Sequence, residues 1–265
     1  MLDCPARWAP EPQVDLPPAP QPAIHAAPPQ AGLFQAAPIS SEGSVPCGIS
    51  TDIRPWTATE TTPTETTDPT AGAAEATPPA APAPSPGDYR HRLRPTPAGW
   101  PTRTHWCVWV EPVVDSGPTG IWEQRWHQAV LAAIQTWQQV LPITLVQERA
   151  QAQVLVERRK PPLRNWRASH GRAVLQLLEV KRGGQWQLEP RVEVMISPGQ
   201  AQPAIQATAL HELGHAFGVW GHSDQPGDAM AVKPGARPVL ELSDRDRRTV
   251  LWLQQQPGLS QPPSR

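Results

Sequence analysis

The run His211-Glu212-Leu213-Gly214-His215-Ala216-Phe217-Gly218-Val219-Trp220-Gly221-His222 constrains this chain more than any other. It reads HExxH, then a glycine, then a third histidine. A helix turns once in about 3.6 residues, so positions four apart share a face. His211 and His215 therefore point at one spot, and Glu212 lies one residue round from them. Gly218 suits the left-handed conformation that ends helices. The chain can then swing back and present His222 from a loop. Three neutral imidazoles with one position left open are the ligand set of a catalytic zinc rather than of a closed structural site.

The segment before this folded region has a different character. Of 265 residues, 36 are proline, and from Met1 to about residue 90 the sequence is rich in Pro, Ala, Thr and Glu. Such a segment cannot bury enough apolar surface to offset its ordering entropy, so disorder is expected over 1–90. A folded domain is expected over 91–258 and a frayed tail over 259–265. The net charge of -1 gives no electrostatic case for nucleic acid or an anionic surface. No apolar run reaches the roughly eighteen residues of a membrane span. Residues 1–30 have no apolar core of the signal-peptide kind, and Met1 to Pro5 leads straight into proline-rich sequence, so no secretory signal is visible. Cys4, Cys47 and Cys107 are too few for a disulfide framework. Cys47, in a Cys-Gly pair upstream of the histidines, is a candidate latency ligand that would fill the open metal position; the alternative is an incidental cysteine. Cys107 reads as a small buried hydrophobe.

Periodicity predicts the elements of the folded part. His105 to Val110 is β-prone. Over Ile121–Val140, Trp122, Trp126, Val130, Ala133 and Trp137 make one apolar helical stripe. Ile143–Val146, Val154–Glu157, Ala173–Val180 and Arg191–Ile196 read as strands, with a turn at Gly183-Gly184 between the last two. Pro203 opens the helix that carries the HExxH. Ser243 caps a third helix, with Asp244 and Asp246 in its first turn. The fold class expected is α/β (α+β): a small, twisted, mostly parallel sheet with an edge strand and three helices.

Over His211 to Met230 the sequence resembles the metzincin metalloproteases, most closely the matrixin branch. His211, Glu212, His215, Gly218, His222 and Met230 stand at the positions of that family's HExxHxxGxxH and methionine turn. The resemblance implies a zinc-dependent endopeptidase with one catalytic Zn2+ held by His211, His215 and His222. Glu212 would be the general base, and Met230 a non-ligand floor beneath the histidines. It implies a peptide or protein substrate pairing with Arg191–Ile196 as edge strand, a monomer, and an extracellular or periplasmic location. Gly218 and His222 lie four residues apart where the family has three, and the family's second zinc and calcium loop is missing, so no calcium is expected. Asp224, Asp228 or Glu241 remain alternatives for the third ligand. A second reading of the same residues is a catalytically inactive zinc-binding pseudo-protease that serves as a peptide-binding module.

Overall fold

The longest strands form a hairpin about the two glycines singled out above. Gly183 and Gly184 have φ of 55° and 83°, the left-handed values that a two-residue hairpin turn requires at both positions. They join β5 (Gly171–Arg182) to β6 (Gln185–Ile196) in antiparallel register, from Gly171 opposite Ile196 to Arg182 opposite Gln185. This is a computed structural model, and it describes residues 47–57, 87–114, 117, 120–163, 169–233 and 235–260.

The remaining strands are β1 (Ile53–Pro55), β2 (Trp106–Val110), β3 (Ile143–Leu145) and β4 (Val154–Glu157). Together they make a six-stranded sheet in the order β1-β5-β6-β4-β2-β3. The pairs β2–β3, β2–β4 and β4–β6 are parallel, whereas β5–β6 and β1–β5 are antiparallel. The mixed α+β class and the three helices agree with the sequence reading. The edge does not. Arg191–Ile196 belongs to β6, which is flanked on both sides by β4 and β5. The hairpin at Gly183-Gly184 folds β5 outside β6, and the edge passes to β5 and to the short β1 beyond it.

Helices α1 (Gly120–Gln138) and α2 (Gln202–Ala216) pack against each other, and α2 also lies against β5 and β6. Trp126, Val130, Ala133 and Trp137 of α1 are fully buried. Both buried indoles satisfy their N–H: Trp126 donates to Ile196 O (3.2 Å) and Trp137 to Leu210 O (2.9 Å). Each such aromatic is worth on the order of 2–3 kcal/mol in burial, and a satisfied N–H avoids the penalty that would offset it. Trp122, the first residue of the expected stripe, is instead exposed, with the Arg125 guanidinium 4.0 Å above its ring. The third helix, α3 (Asp244–Leu253), begins with a full capping box between Ser243 and Asp246. No helix among the described residues is long and apolar enough to cross a membrane.

Residues 47–57, within the Pro-rich segment, lie along the sheet. Cys47 forms a disulfide with Cys107 of β2, and β1 pairs with Leu178–Val180 of β5. No local pattern signals this pairing, because the two cysteines are 60 residues apart. The sulfur of Cys47 is thereby engaged at the sheet and is not a ligand beside the histidines.

Candidate metal centre

Local backbone geometry brings the three histidines together. His211 and His215 follow each other by one turn on α2, which ends where Gly218 takes φ 102°. Gly218 N–H donates to His215 O and Val219 N–H to Gly214 O, both at 3.0 Å. A Cβ on Gly218 would lie 3.2 Å from Pro101 O, so both the conformation and the close approach select glycine. Beyond this point the chain reverses, and His222 returns to the helix. The residue added between Gly218 and His222 is accommodated in the turn: His215 Nε2 and His222 Nε2 are 3.2 Å apart.

Ligand atoms of His211, His215 and His222 all lie within 4.8 Å of one another. His211 Nδ1 is 2.9 Å from Ala229 O, and His215 Nδ1 is 2.7 Å from Val219 O. A carbonyl only accepts, so both Nδ1 atoms carry the proton. The Nε2 atom of each neutral ring is then a lone pair, the form a metal requires, and the carbonyls fix the ring orientation. Two imidazole nitrogens on a tetrahedral zinc, at about 2.0–2.1 Å from the ion, stand about 3.3 Å apart; the His215–His222 separation matches this.

The electrostatics favour neutral imidazoles. Burial, then the neighbouring His211, pushes the His215 ring down to about 3. Burial also lowers His211 and His222. The Trp220 ring stacks on His215, with centroids 5.4 Å apart, and keeps water from that face. Phe217 packs between Trp106 and Trp137. Both aromatics pack against neighbouring rings.

Met230 is fully buried directly under α2. A Cβ on Gly214 would fall 2.2 Å from Met230 Sδ. Only a glycine at that position, between the two helical histidines, lets the thioether reach the helix backbone.

The alternative third ligands have other partners. Asp224 is exposed and pairs with Arg245 (3.0 Å) and Arg92 (3.5 Å). Asp228 accepts from Ser223 Oγ and pairs with Arg245 at 3.1 Å. Glu241 is exposed.

Glu212 does not join the histidine cluster. Its carboxylate accepts the N–H of Ala173 in β5, and burial raises its pKa to about 7. A Cβ on Gly171 would meet Glu212 Cγ at 2.6 Å, which shows how closely β5 lies against this side chain. Glu212 thus links α2 to the sheet. Together with His211 and Thr208 it lines a cavity of about 540 Å³ whose walls also include Val232, Pro238 and Val239.

No protein-family model matches the chain, and a search of curated proteins finds no match to it.

The geometry of the cluster overturns the endopeptidase expectation. The metal cluster is made of three imidazoles and contains no carboxylate to serve as general base. The spacing HExxHxxGxxxH departs from the metzincin pattern by one residue. The matrixin assignment and the hydrolase role it implied are therefore set aside, and what remains is a three-histidine site beside a cavity.

Asp246 is the residue whose role the sequence missed. It was readable as part of a helix cap. Its carboxylate also accepts from Tyr89 Oη (2.6 Å) and from the N–H groups of Ala229 (2.8 Å) and Met230 (3.5 Å). Neither Tyr89 nor the 229–230 turn lies near Asp246 in sequence, so only its fully buried position reveals this.

Proposed function

We propose that this chain is a zinc-binding module that holds an extended peptide without hydrolysing it. The observation that carries the reading is the convergence of three imidazoles, two of them with ring orientation set by backbone carbonyls. Such a set suits one zinc ion, with His211, His215 and His222 as ligands and one position left for an oxygen of the bound partner. When bound, the ion would act as a Lewis acid toward that oxygen.

The sheet edge supports a peptide as the partner. Among the described residues, β1 covers β5 only at Leu178–Val180, with a further bond from Trp56 N–H to Leu177 O. Lys181 N–H goes to Asp52 O. Backbone groups alternate along a strand, so the odd-numbered residues of β5 face outward. Ala173 gives its N–H to Glu212, and Leu175 presents its N–H and C=O at the edge. An extended peptide would add there as a strand, with side chains entering the cavity beside His211. The disulfide fits an oxidising compartment, extracellular or periplasmic, and we take the working unit to be a monomer.

The test compares zinc-loaded and chelator-stripped protein for retention of peptides from a random extended library, read by mass spectrometry. The zinc-loaded form should retain a defined subset and the stripped form should retain it at least about tenfold less, as expected when one metal–ligand bond is lost. Equal retention by the two forms would remove the metal from the binding site.

A further inference from the structure

A second group of metal-ligand side chains lies at the opposite end of the chemistry, on soft atoms. Cys47, His105 and Cys107 bring their ligand atoms within 4.8 Å of one another. In this structure the two sulfurs are joined. We propose that the same three residues form a second metal site, for a soft divalent ion of zinc's class, when the sulfurs are reduced, so that one clasp is closed either by a disulfide or by a metal.

Donor chemistry and position both support this. Two thiolates and an imidazole are a ligand set that selects zinc among abundant divalent ions, with water completing the tetrahedron. Cys107 is held on both sides of its peptide: its N–H donates to Gln153 Oε1 (3.1 Å) and its C=O accepts from Gln153 N–H (2.9 Å). His105 Nε2 lies 3.0 Å from Thr144 Oγ1, a contact that orients the ring. Arg103 donates to His105 O (3.2 Å), and Arg182 donates to Gly48 O (2.6 Å), beside Cys47. Both guanidinium groups also pair with the Glu189 carboxylate, at 3.3 Å and 2.8 Å, so two cations and one anion anchor the backbone beside the ligands.

Residues 47–57 have reason to need such a clasp. Their sheet pairing is only three residues long. The added contacts are backbone bonds from Trp56 N–H to Leu177 O (3.0 Å) and Lys181 N–H to Asp52 O (3.1 Å), Arg182 to Gly48 O, Ser50 Oγ to Lys181 O (3.0 Å), the Arg54–Glu179 ion pair and Arg54 over the Trp186 ring. Isolated edge strands of that length are marginal. Without a covalent or metal closure at Cys47, the strap would leave β5.

The exchange balances. A dithiol reductant gives two electrons and two protons to the Cys47–Cys107 bond and becomes a disulfide itself. The metal ion then displaces the two thiol protons. In the reverse direction an oxidising disulfide takes the two electrons, the sulfurs join, and the metal leaves.

The experiment uses the full chain, expressed and purified without oxygen, with a phosphine as reductant. The phosphine takes its oxygen from water and ends as phosphine oxide, and it does not supply sulfur. Thiol titration first establishes the reduced state. Cobalt(II) is then added, because a thiolate-to-cobalt charge-transfer band in the near ultraviolet reports sulfur ligation and is blind to the three-histidine centre. The reduced protein should show the band and take up one metal equivalent more than the oxidised protein. Cys47→Ser should lose the band, and Cys4→Ser should keep it. His105→Ala should weaken cobalt binding at that site by at least about tenfold. A reduced, folded protein without the band would overturn the proposal. So would a band that survives Cys47→Ser, or a disulfide that opens only when circular dichroism shows the fold is lost.

Discussion

Asp246 accepts the backbone N–H of Ala229 at 2.8 Å, and the carbonyl of that same Ala229 faces His211 Nδ1 at 2.9 Å. Met230 N–H, which shares a peptide unit with that carbonyl, also donates to Asp246 (3.5 Å), so one carboxylate in α3 holds the turn that orients a histidine ring of the cluster in α2. Asp246→Ala should leave the buried donors of Tyr89, Ala229 and Met230 and the half-buried N–H of Ser243 without this partner. The expected cost is about 3 kcal/mol or more of folding stability, with zinc affinity falling in step. Denaturant unfolding and zinc titration of the variant check both. A variant that unfolds at the wild-type midpoint would show that the turn does not depend on this carboxylate.

Gly214 and Met230 give a second test. Gly214→Ala places a methyl group against Met230 Sδ and near Trp137 Cζ2. Overpacking of this kind costs about 1–3 kcal/mol. The severe overlap is with Met230 Sδ at 2.2 Å, Trp137 Cζ2 standing at 3.0 Å, so the same substitution in a Met230→Ala background should cost markedly less, and the double-mutant cycle should show coupling. Additive effects would mean that the helix backbone, not the thioether, resists the methyl group.

Acid should destabilise the metal-free protein through His215. In the folded state its ring is pushed down to about 3, with burial as the first cause, whereas in the unfolded chain it titrates near about 6.5. Between those values the unfolded state binds more protons than the folded one. The His215 contribution is therefore constant above about pH 6.5 and lost as pH drops toward 3, whereas Glu212, raised to about 7 in the fold, acts in the opposite sense down to its unfolded value near about 4.5, so the net fall, on the order of a few kcal/mol, should emerge below about pH 4.5. Chelator-treated protein, unfolded in denaturant across that range, gives the measurement. His215→Gln should flatten the slope, and an unchanged slope would assign the effect to other groups.

Much of the metal centre was legible because it is local. His211 and His215 share a face by helical spacing, Gly218 ends the helix as its φ requires, and Ser243 caps α3 through a residue three positions on. What sequence did not reveal depends on chain segments far apart. Cys47 finds Cys107 across 60 residues. Ile53–Pro55 becomes a strand only because the β5 backbone is there to pair with it. The position of β5 outside β6 follows from the hairpin, and periodicity alone does not say which of two adjacent strands lies at the edge. Glu212 reads as a base by motif, yet its carboxylate takes a β5 N–H, a contact set by how α2 sits on the sheet.

The binding edge makes its own prediction. If a peptide adds to β5 beside Leu175, its affinity depends on alternate backbone amides. N-methylation of those amides in a retained peptide should each weaken binding by about 1 kcal/mol, while methylation of the intervening amides should have little effect. A loss that is the same at every position would point to side-chain recognition without strand addition.

The most direct measurement pairs zinc analysis with the fate of the peptide. Oxidised wild type and His222→Ala are loaded with zinc, dialysed, assayed for metal and incubated with the peptides that wild type retains. One zinc per wild-type chain, a large loss of zinc from His222→Ala and peptides recovered at full length from the wild type are expected of a three-histidine peptide-binding site. Full zinc in His222→Ala, or shortened peptides from the zinc-loaded wild type, would rule that site out.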